Sequence, residues 1–290
     1  MQRIVPFLRL MRLDKPIGIW LLFFPAAWGV LLSPASMQWM LIPAMLVGAV
    51  LIRSAGCIIN DLTDRELDQQ VARTRARPLA SGSVIRNEAL VLLFVLLFDG
   101  LLLCLALPTD VLKLALLALP FIAAYPWMKR LTWWPQAFLG LTFNFGALIG
   151  WAATGIAIDL VPLLLYAACF FWTLGYDTIY AVQDMDDDAR VGIKSSARRV
   201  GLGKRLQAFT TGCYGSMLLL FWLAATQAGF TGPWLYGALA LAALHAAWQS
   251  IQAGMLEAGS TRGGVLFRSN QWLGLILLAG LAVQRFAYLS

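Results

Sequence analysis

Long apolar runs separated by short polar stretches make up most of this chain. They fall near 16–33, 38–59, 88–107, 111–128, 133–153, 160–178, 206–228, 233–254 and 269–288. Each has about the 17 to 25 residues that a helix needs to cross a bilayer at about 1.5 Å per residue. The pattern predicts an all-α polytopic membrane protein, a bundle of nine transmembrane helices forming a single domain over residues 1–290. Asn144 and His245 interrupt the fifth and eighth runs and leave their limits the least defined.

Composition agrees: 60% of residues are hydrophobic, only 13% are charged, and the mean hydropathy is +0.73. A net charge of +7 would suit nucleic acid, but its placement does not. With nine spans, every Lys and Arg except Lys113 and Arg285 falls on one side of the membrane. The positive-inside rule makes that side cytoplasmic. It then holds the N-terminus and the loops at about 60–87 and 179–205, with the C-terminus on the opposite, periplasmic side; no nucleic-acid partner is expected. An eight-span arrangement would break the alternation. Arg-rich residues ahead of the first run, with Pro34-Ala35-Ser36 after it, mimic a secretory signal, but the run's length and the eight further runs predict an uncleaved span. Cys57, Cys104, Cys169 and Cys213 lie in apolar runs without Cys-x-x-Cys spacing, which predicts packing and no disulfide or zinc site.

More than half of the 15 acidic residues gather in two stretches: Asp61, Asp64, Glu66 and Asp68, then Asp177, Asp184, Asp186, Asp187 and Asp188. Asn60, Asp64 and Asp68 are spaced by four, and seven residues back stands Arg53, so one helix would carry all of them on one stripe. Asp177, Tyr180, Asp184 and Asp188 repeat the design. By helix rise, Arg53 lies about 10 Å deeper than Asn60, and Asp177 about 10 Å deeper than Asp184. Each stripe therefore leads from a buried charge to a carboxylate-rich mouth, and the pair predicts a central cavity opening at the cytoplasmic side. Charges buried in a membrane are costly and usually functional.

Two acidic mouths brought together repel unless cations intervene. Oxygen-only donors suit Mg²⁺, which keeps several waters and favours carboxylates with substrate phosphates. Arg73, Arg77, Lys129, Arg130 and Lys194 flank the clusters and would neutralise a departing phosphate group. Other intramembrane polar residues read as packing: His245 and Asp99 as helix-to-helix contacts, Trp127, Trp133, Trp134 and Trp151 as an interfacial belt, with Asn144 placed to line a cavity.

The segment Asn60-Asp61-x-x-Asp64-x-x-x-Asp68, with Arg73-Thr74-x-x-Arg77-Pro78-Leu79 after it, resembles the first signature of the UbiA superfamily of intramembrane prenyltransferases. Asp184-x-x-x-Asp188 with Gly192-Ile193-Lys194-Ser195 resembles the second, and Arg12-Leu13-Asp14-Lys15-Pro16-Ile17-Gly18 and Tyr125-Pro126-x-x-Lys129-Arg130 look like further family segments. The resemblance covers nearly the whole chain. Asp177-x-x-Tyr180-Ala181 is similar to the 4-hydroxybenzoate polyprenyltransferase branch of ubiquinone biosynthesis, whereas Ala72 stands where haem O synthases usually carry methionine. Ser196 and Lys15 replace the commoner Thr and Arg, conservative changes.

The resemblance implies a bacterial inner-membrane enzyme that uses Mg²⁺ to transfer a polyprenyl group from polyprenyl diphosphate to the ortho carbon of 4-hydroxybenzoate. It implies metal ligation by Asn60, Asp64, Asp68, Asp184 and Asp188, and substrate binding by Arg73, Arg77, Tyr125, Lys129, Arg130 and Lys194. Arg53 would meet the acceptor's carboxylate, while Asp177 and Tyr180 orient its phenol; the donor's tail would leave the cavity into membrane lipid. A different aromatic acceptor is one alternative. A cation-coupled transporter is another, disfavoured because the acidic residues sit at one face and the spans show no paired Gly/Pro-interrupted helices.

Overall fold

The computed structural model describes residues 4–36, 38–70, 74–190 and 192–289, and among them every regular element is helical. A short helix α1 (Val5–Leu10) precedes α2 (Ile17–Leu32) and α3 (Leu41–Thr63). The first motif region contributes α4 (Arg65–Gln70), and α5 (Arg86–Leu105) and α6 (Thr109–Leu131) come next. Two short helices, α7 (Pro135–Phe143) and α8 (Phe145–Ala152), precede α9 (Leu160–Ala181). The second motif region supplies α10 (Met185–Arg190) and α11 (Ser196–Val200). Then come α12 (Lys204–Gln227), α13 (Pro233–Ala253) and α14 (Arg262–Leu289).

Each apolar run of the sequence coincides with one of these helices, except that the fifth is split in two. Among the described residues, six helical stretches are long and apolar enough to cross a membrane, and α2 is a shorter apolar helix. The division of the fifth run falls at Asn144, whose backbone leaves the helical region. Asn144 is buried, and its Nδ2 donates to Gly140 O at 2.7 Å and to Thr173 Oγ1 at 2.9 Å on α9. The residue thus fastens the break to a neighbouring helix, satisfying polar groups that lipid cannot.

Small residues set the closest helix contact. Gly146 and Gly150 on α8 face Leu22 and Ala26 on α2, and a Cβ built at Gly150 would lie 2.7 Å from the Ala26 carbonyl carbon. Backbones meet there directly, the recurring use of Gly-x-x-x-Gly in membranes. The same approach buries Trp151, whose indole donates to Ala157 O at 3.0 Å, so this residue leaves the expected interfacial belt for the core. Trp127, Trp133 and Trp134 remain exposed.

The core is aromatic where α2, α9 and α12 converge: Trp28 lies 5.2 Å by ring centroids from both Trp172 and Phe221. Below it, a buried polar network joins four helices. Trp172 Nε1 donates to Asn270 Oδ1 at 2.8 Å, Asn270 Nδ2 to Gln249 Oε1 at 3.3 Å, and Gln249 Nε2 to Ser269 Oγ at 2.8 Å. Tyr214 donates its hydroxyl proton to Gln249 as well. By contrast, α5 and α6 turn most of their surface outward, as lipid-facing helices do. Asp99 stands on that exposed face of α5, not against a neighbouring helix as the sequence suggested. His245 packs beside Trp248 on α13, and the four cysteines are free.

Candidate functional site

The first motif does not form one continuous helix. Arg53 and Asn60 share α3, but the helix ends at Thr63, Asp64 is its C-cap, and Asp68 belongs to α4. The hydrogen-bond rhythm nevertheless carries through the break, since Asp64 N–H donates to Asn60 O at 2.9 Å and Asp68 N–H to Asp64 O at 2.8 Å. Four acidic residues in eight positions repel, and the cap lets the chain bend where an unbroken helix would hold them in line. Burial raises the Asp64 carboxyl above its usual range and neighbouring Asp68 adds to it, while Arg77, Lys129 and Arg130 pull the other way.

Arginines answer the remaining charge. Arg77 Nη1 donates to Asp68 Oδ2 at 2.8 Å and to Asp61 Oδ1 at 3.2 Å. Arg12 donates to both oxygens of Asp61, at 2.8 and 3.0 Å. Arg77 therefore stands inside the acidic motif and pairs with it. Arg73, the other arginine expected there, lies outside the described residues.

The second motif is also divided. Asp177 and Tyr180 are on α9, Asp184 ends a one-turn 3₁₀ segment, and Asp188 is on α10. A 3₁₀ turn advances each residue by about 120°, not 100°, so three such residues rotate α10 by about 60° relative to α9. The expected single stripe is thereby twisted at the mouth. Tyr180 turns its ring onto Phe267 of α14, 4.6 Å between centroids.

A second, deeper group lies below the mouths. Arg53, Tyr125 and Asp177, from α3, α6 and α9, are within electrostatic reach of one another and keep part of their surface accessible. Arg53 fits between Gly18 of α2, where a Cβ would fall 2.9 Å from its Cζ, and the Phe143 ring, 5.9 Å from Cζ to centroid. Lys129, on the last turn of α6, acts on both Asp64 and Asp177, and Arg130 acts on Asp64.

The second loop is fastened to the end of α6. Lys194 N–H donates to Lys129 O at 3.0 Å and its ammonium to Leu131 O at 3.4 Å. Arg198 stacks over Trp133, 5.4 Å to the ring centroid. Ser196 accepts or donates a 2.7 Å bond with Thr178 on α9, and its N–H donates to Gln136 of α7 at 2.9 Å. The hydroxyl kept at Ser196 is what this joint uses.

Among the described residues no three carboxylate, imidazole or thiol groups form a ready cage for a metal. The donors at the mouths are oxygens alone, from Asn60, Asp64, Asp68, Asp184 and Asp188, in a chain whose one histidine lies on α13. That set fits Mg²⁺, which takes one or two carboxylates and completes its shell with water and phosphate. The sequence reading missed Arg12, Asp61 and Gly18 as parts of the site. Asp61 breaks the four-residue spacing, and the contacts of Arg12 and Gly18 are long-range, so the motifs that contain them gave them no role.

A model described as the UbiA prenyltransferase family matches residues 22–270. The chain is 42% identical over 285 residues to the mitochondrial 4-hydroxybenzoate polyprenyltransferase of Caenorhabditis elegans, covering 95% of this chain and 77% of that protein. It is 43% identical over 290 residues to 4-hydroxybenzoate geranyltransferase 2 of Lithospermum erythrorhizon, covering 97% and 90%. Its fold matches the apo structure of a UbiA homologue from Aeropyrum pernix K1 with a TM-score of 0.76 at 27% identity, covering 91% of this chain and 97% of that one. A UbiA homologue from Archaeoglobus fulgidus bound to GPP and Mg²⁺ shares the fold at a TM-score of 0.64 and 16% identity, over 97% and 99%.

Proposed function

This chain belongs to the UbiA prenyltransferase family, and from that membership we propose the reaction and the side chains that serve it. The protein is a 4-hydroxybenzoate polyprenyltransferase, moving a polyprenyl group from its diphosphate to the ortho carbon of 4-hydroxybenzoate. One observation supports the assignment of roles: the Lys194 N–H bond to Lys129 O, at 3.0 Å, ties the loop of the second motif to the end of α6, where Lys129 is within electrostatic reach of Asp64 and Asp177. A reaction between an anionic leaving group and a buried aromatic requires charges of both signs brought together in this way.

Asn60, Asp64, Asp68, Asp184 and Asp188 would hold Mg²⁺, which when bound neutralises diphosphate oxygens as the allylic carbon–oxygen bond breaks. Lys129, Arg130, Lys194, Arg73 and Arg77 supply positive charge around the same diphosphate. Arg53 receives the acceptor's carboxylate through its planar fork, a bidentate, charge-assisted contact. Asp177, with Tyr125 beside it and Tyr180 one turn along α9, orients the phenol and is the group placed to take a proton. The ring's ortho carbon then bonds to the allylic carbon, diphosphate departs with the electrons of the broken bond, and the ring loses its ortho proton. The wall of α5 and α6 meets lipid and gives the long apolar tail somewhere to lie.

We place the N-terminus and both acidic motifs on the cytoplasmic side of a bacterial inner membrane, with nine spans and the C-terminus outside, on the strength of the basic-residue asymmetry. The test of function is incubation of detergent-solubilised protein with Mg²⁺, an allylic polyprenyl diphosphate and 4-hydroxybenzoate. Prenylated product should form without any ion gradient. Absence of product would overturn the assignment, and gradient-driven uptake in vesicles would favour the transporter reading.

A further inference from the structure

Arg12 adopts a conformation that residues with side chains avoid: its φ is +58°, the one positive value outside glycine among the described residues. Such a backbone costs on the order of 1 kcal/mol and persists where surrounding contacts demand it. Here it follows α1, a short helix whose Val5 and Leu8 are exposed and apolar, and it swings the guanidinium over the end of α3. Nη1 donates to Arg9 O at 3.0 Å, while Nη2 spans the two oxygens of Asp61. Asp61 is 1% exposed and Arg12 19%, so the pair is largely withdrawn from water.

Asp61 is shared. Its Oδ1 also accepts from Arg77 Nη1, and that same nitrogen donates to Asp68 Oδ2. Four residues thus form a chain, Arg12 to Asp61 to Arg77 to Asp68, in which each central charge has two partners. If Arg12 were absent, the whole charge of Asp61 would fall on Arg77 and hold it more tightly. If Asp61 were neutral, Arg77 would have Asp68 alone and would occupy it.

We propose that Arg12 and Asp61 are a positioning pair for the first acidic motif. Arg12 fixes the Asp61 carboxylate, Asp61 anchors Arg77, and Arg77 is left able to exchange Asp68 for the donor's diphosphate. The inference rests on the diphosphate reading given above. It assigns to Asp61 an electrostatic role distinct from that of Asn60, Asp64 and Asp68, and it gives the left-handed turn at Arg12 a purpose.

The test is a double-mutant cycle with Arg12→Gln, Asp61→Asn and their combination, alongside Arg12→Lys. Two quantities are measured for each: KM with donor and acceptor varied in turn, and the thermal shift produced by inorganic diphosphate with Mg²⁺ and no acceptor. Each single variant should raise the donor KM about tenfold, a coupling of about 1.4 kcal/mol, and shrink the diphosphate-induced shift. The acceptor KM should stay unchanged. Arg12→Lys should fall between wild type and Arg12→Gln, and the double variant should be no worse than the poorer single one. Unchanged donor KM in a folded single variant overturns the proposal. So does a double variant whose defects multiply, or an equal rise in both KM values with a lowered melting temperature. Should Arg12→Gln fail to fold, Arg12→Lys with Asp61→Asn completes a cycle with the same criteria. Wild-type protein that neither consumes the donor nor responds to diphosphate would instead remove the reading beneath.

Discussion

The guanidinium of Arg53 and the α-carbon of Gly18 leave no space for a methyl group: a Cβ at Gly18 would lie 2.9 Å from Arg53 Cζ. The atom that must move is the tip of a long side chain, so Gly18→Ala should fold and displace only the guanidinium. KM for 4-hydroxybenzoate should rise several-fold with KM for the donor unchanged, and Arg53→Lys, which loses the planar fork, should raise it further. Steady-state kinetics with each substrate varied decides this. A defect confined to the donor would move Arg53 into the diphosphate site.

Asp64→Ala and Asp184→Ala should each lower turnover by about 100-fold or more, the scale on which loss of one preorganised charge-stabilising group acts. Both side chains are half-buried at the mouths and outside the hydrophobic core, so yield and melting temperature should stay near wild type. Chelation by EDTA should abolish activity, and added Mg²⁺ should restore it. Full turnover in EDTA would remove the metal from the mechanism.

Sidedness is checked by single-cysteine labelling on a background lacking Cys57, Cys104, Cys169 and Cys213. Positions in 60–87 and 179–205 should react with membrane-impermeant reagent only from the cytoplasmic side, and Ser290 only from the other. Labelling of all three from one face would eliminate an odd number of spans.

Substitution at the contact between α2 and α8 should be felt in stability. A Cβ at Gly150 meets the backbone of Ala26, which cannot rotate aside, so Gly150→Ala should cost about 1–3 kcal/mol, seen as a lowered melting temperature. Gly212 on α12 has nothing within 4 Å of its Cβ position, and Gly212→Ala should be neutral or slightly stabilising.

Loss of the central amide of the polar network is a further case. Asn270→Ala removes the acceptor for Trp172 and a donor to Gln249, both buried. A cost of about 1–3 kcal/mol is expected for the groups left unpaired. Thermal unfolding in detergent measures it, and an unchanged melting temperature would show that water replaces the amide.

The run lengths in the sequence located the helices because membrane crossing imposes a length on each, and the same constraint exposed the two acidic clusters as anomalies. What the periodicity could not reveal was where a helix would stop. Asp64 is a cap and Val182–Asp184 a 3₁₀ turn, breaks that spacing by four does not encode. Asn144 showed as an interruption, but its bond to Thr173 depends on α9 lying alongside. Arg12 and Gly18 act on partners tens of residues away, so their roles became legible only when α1, α2 and α3 were seen together. Trp151 was misread for the same reason, since only the glycine contact beneath it draws it inward.

The four-helix polar network has a consequence for the order in which the chain is made. Trp172, Tyr214 and Gln249 leave the ribosome before Asn270. Until α14 enters the membrane, the Trp172 indole on α9 and the Gln249 amide nitrogen on α13 lack the acceptors that α14 supplies, in a medium that offers no substitute. Helix α14 therefore completes an assembly begun with α9, and a chain halted before it would hold exposed polar atoms that membrane quality control can recognise.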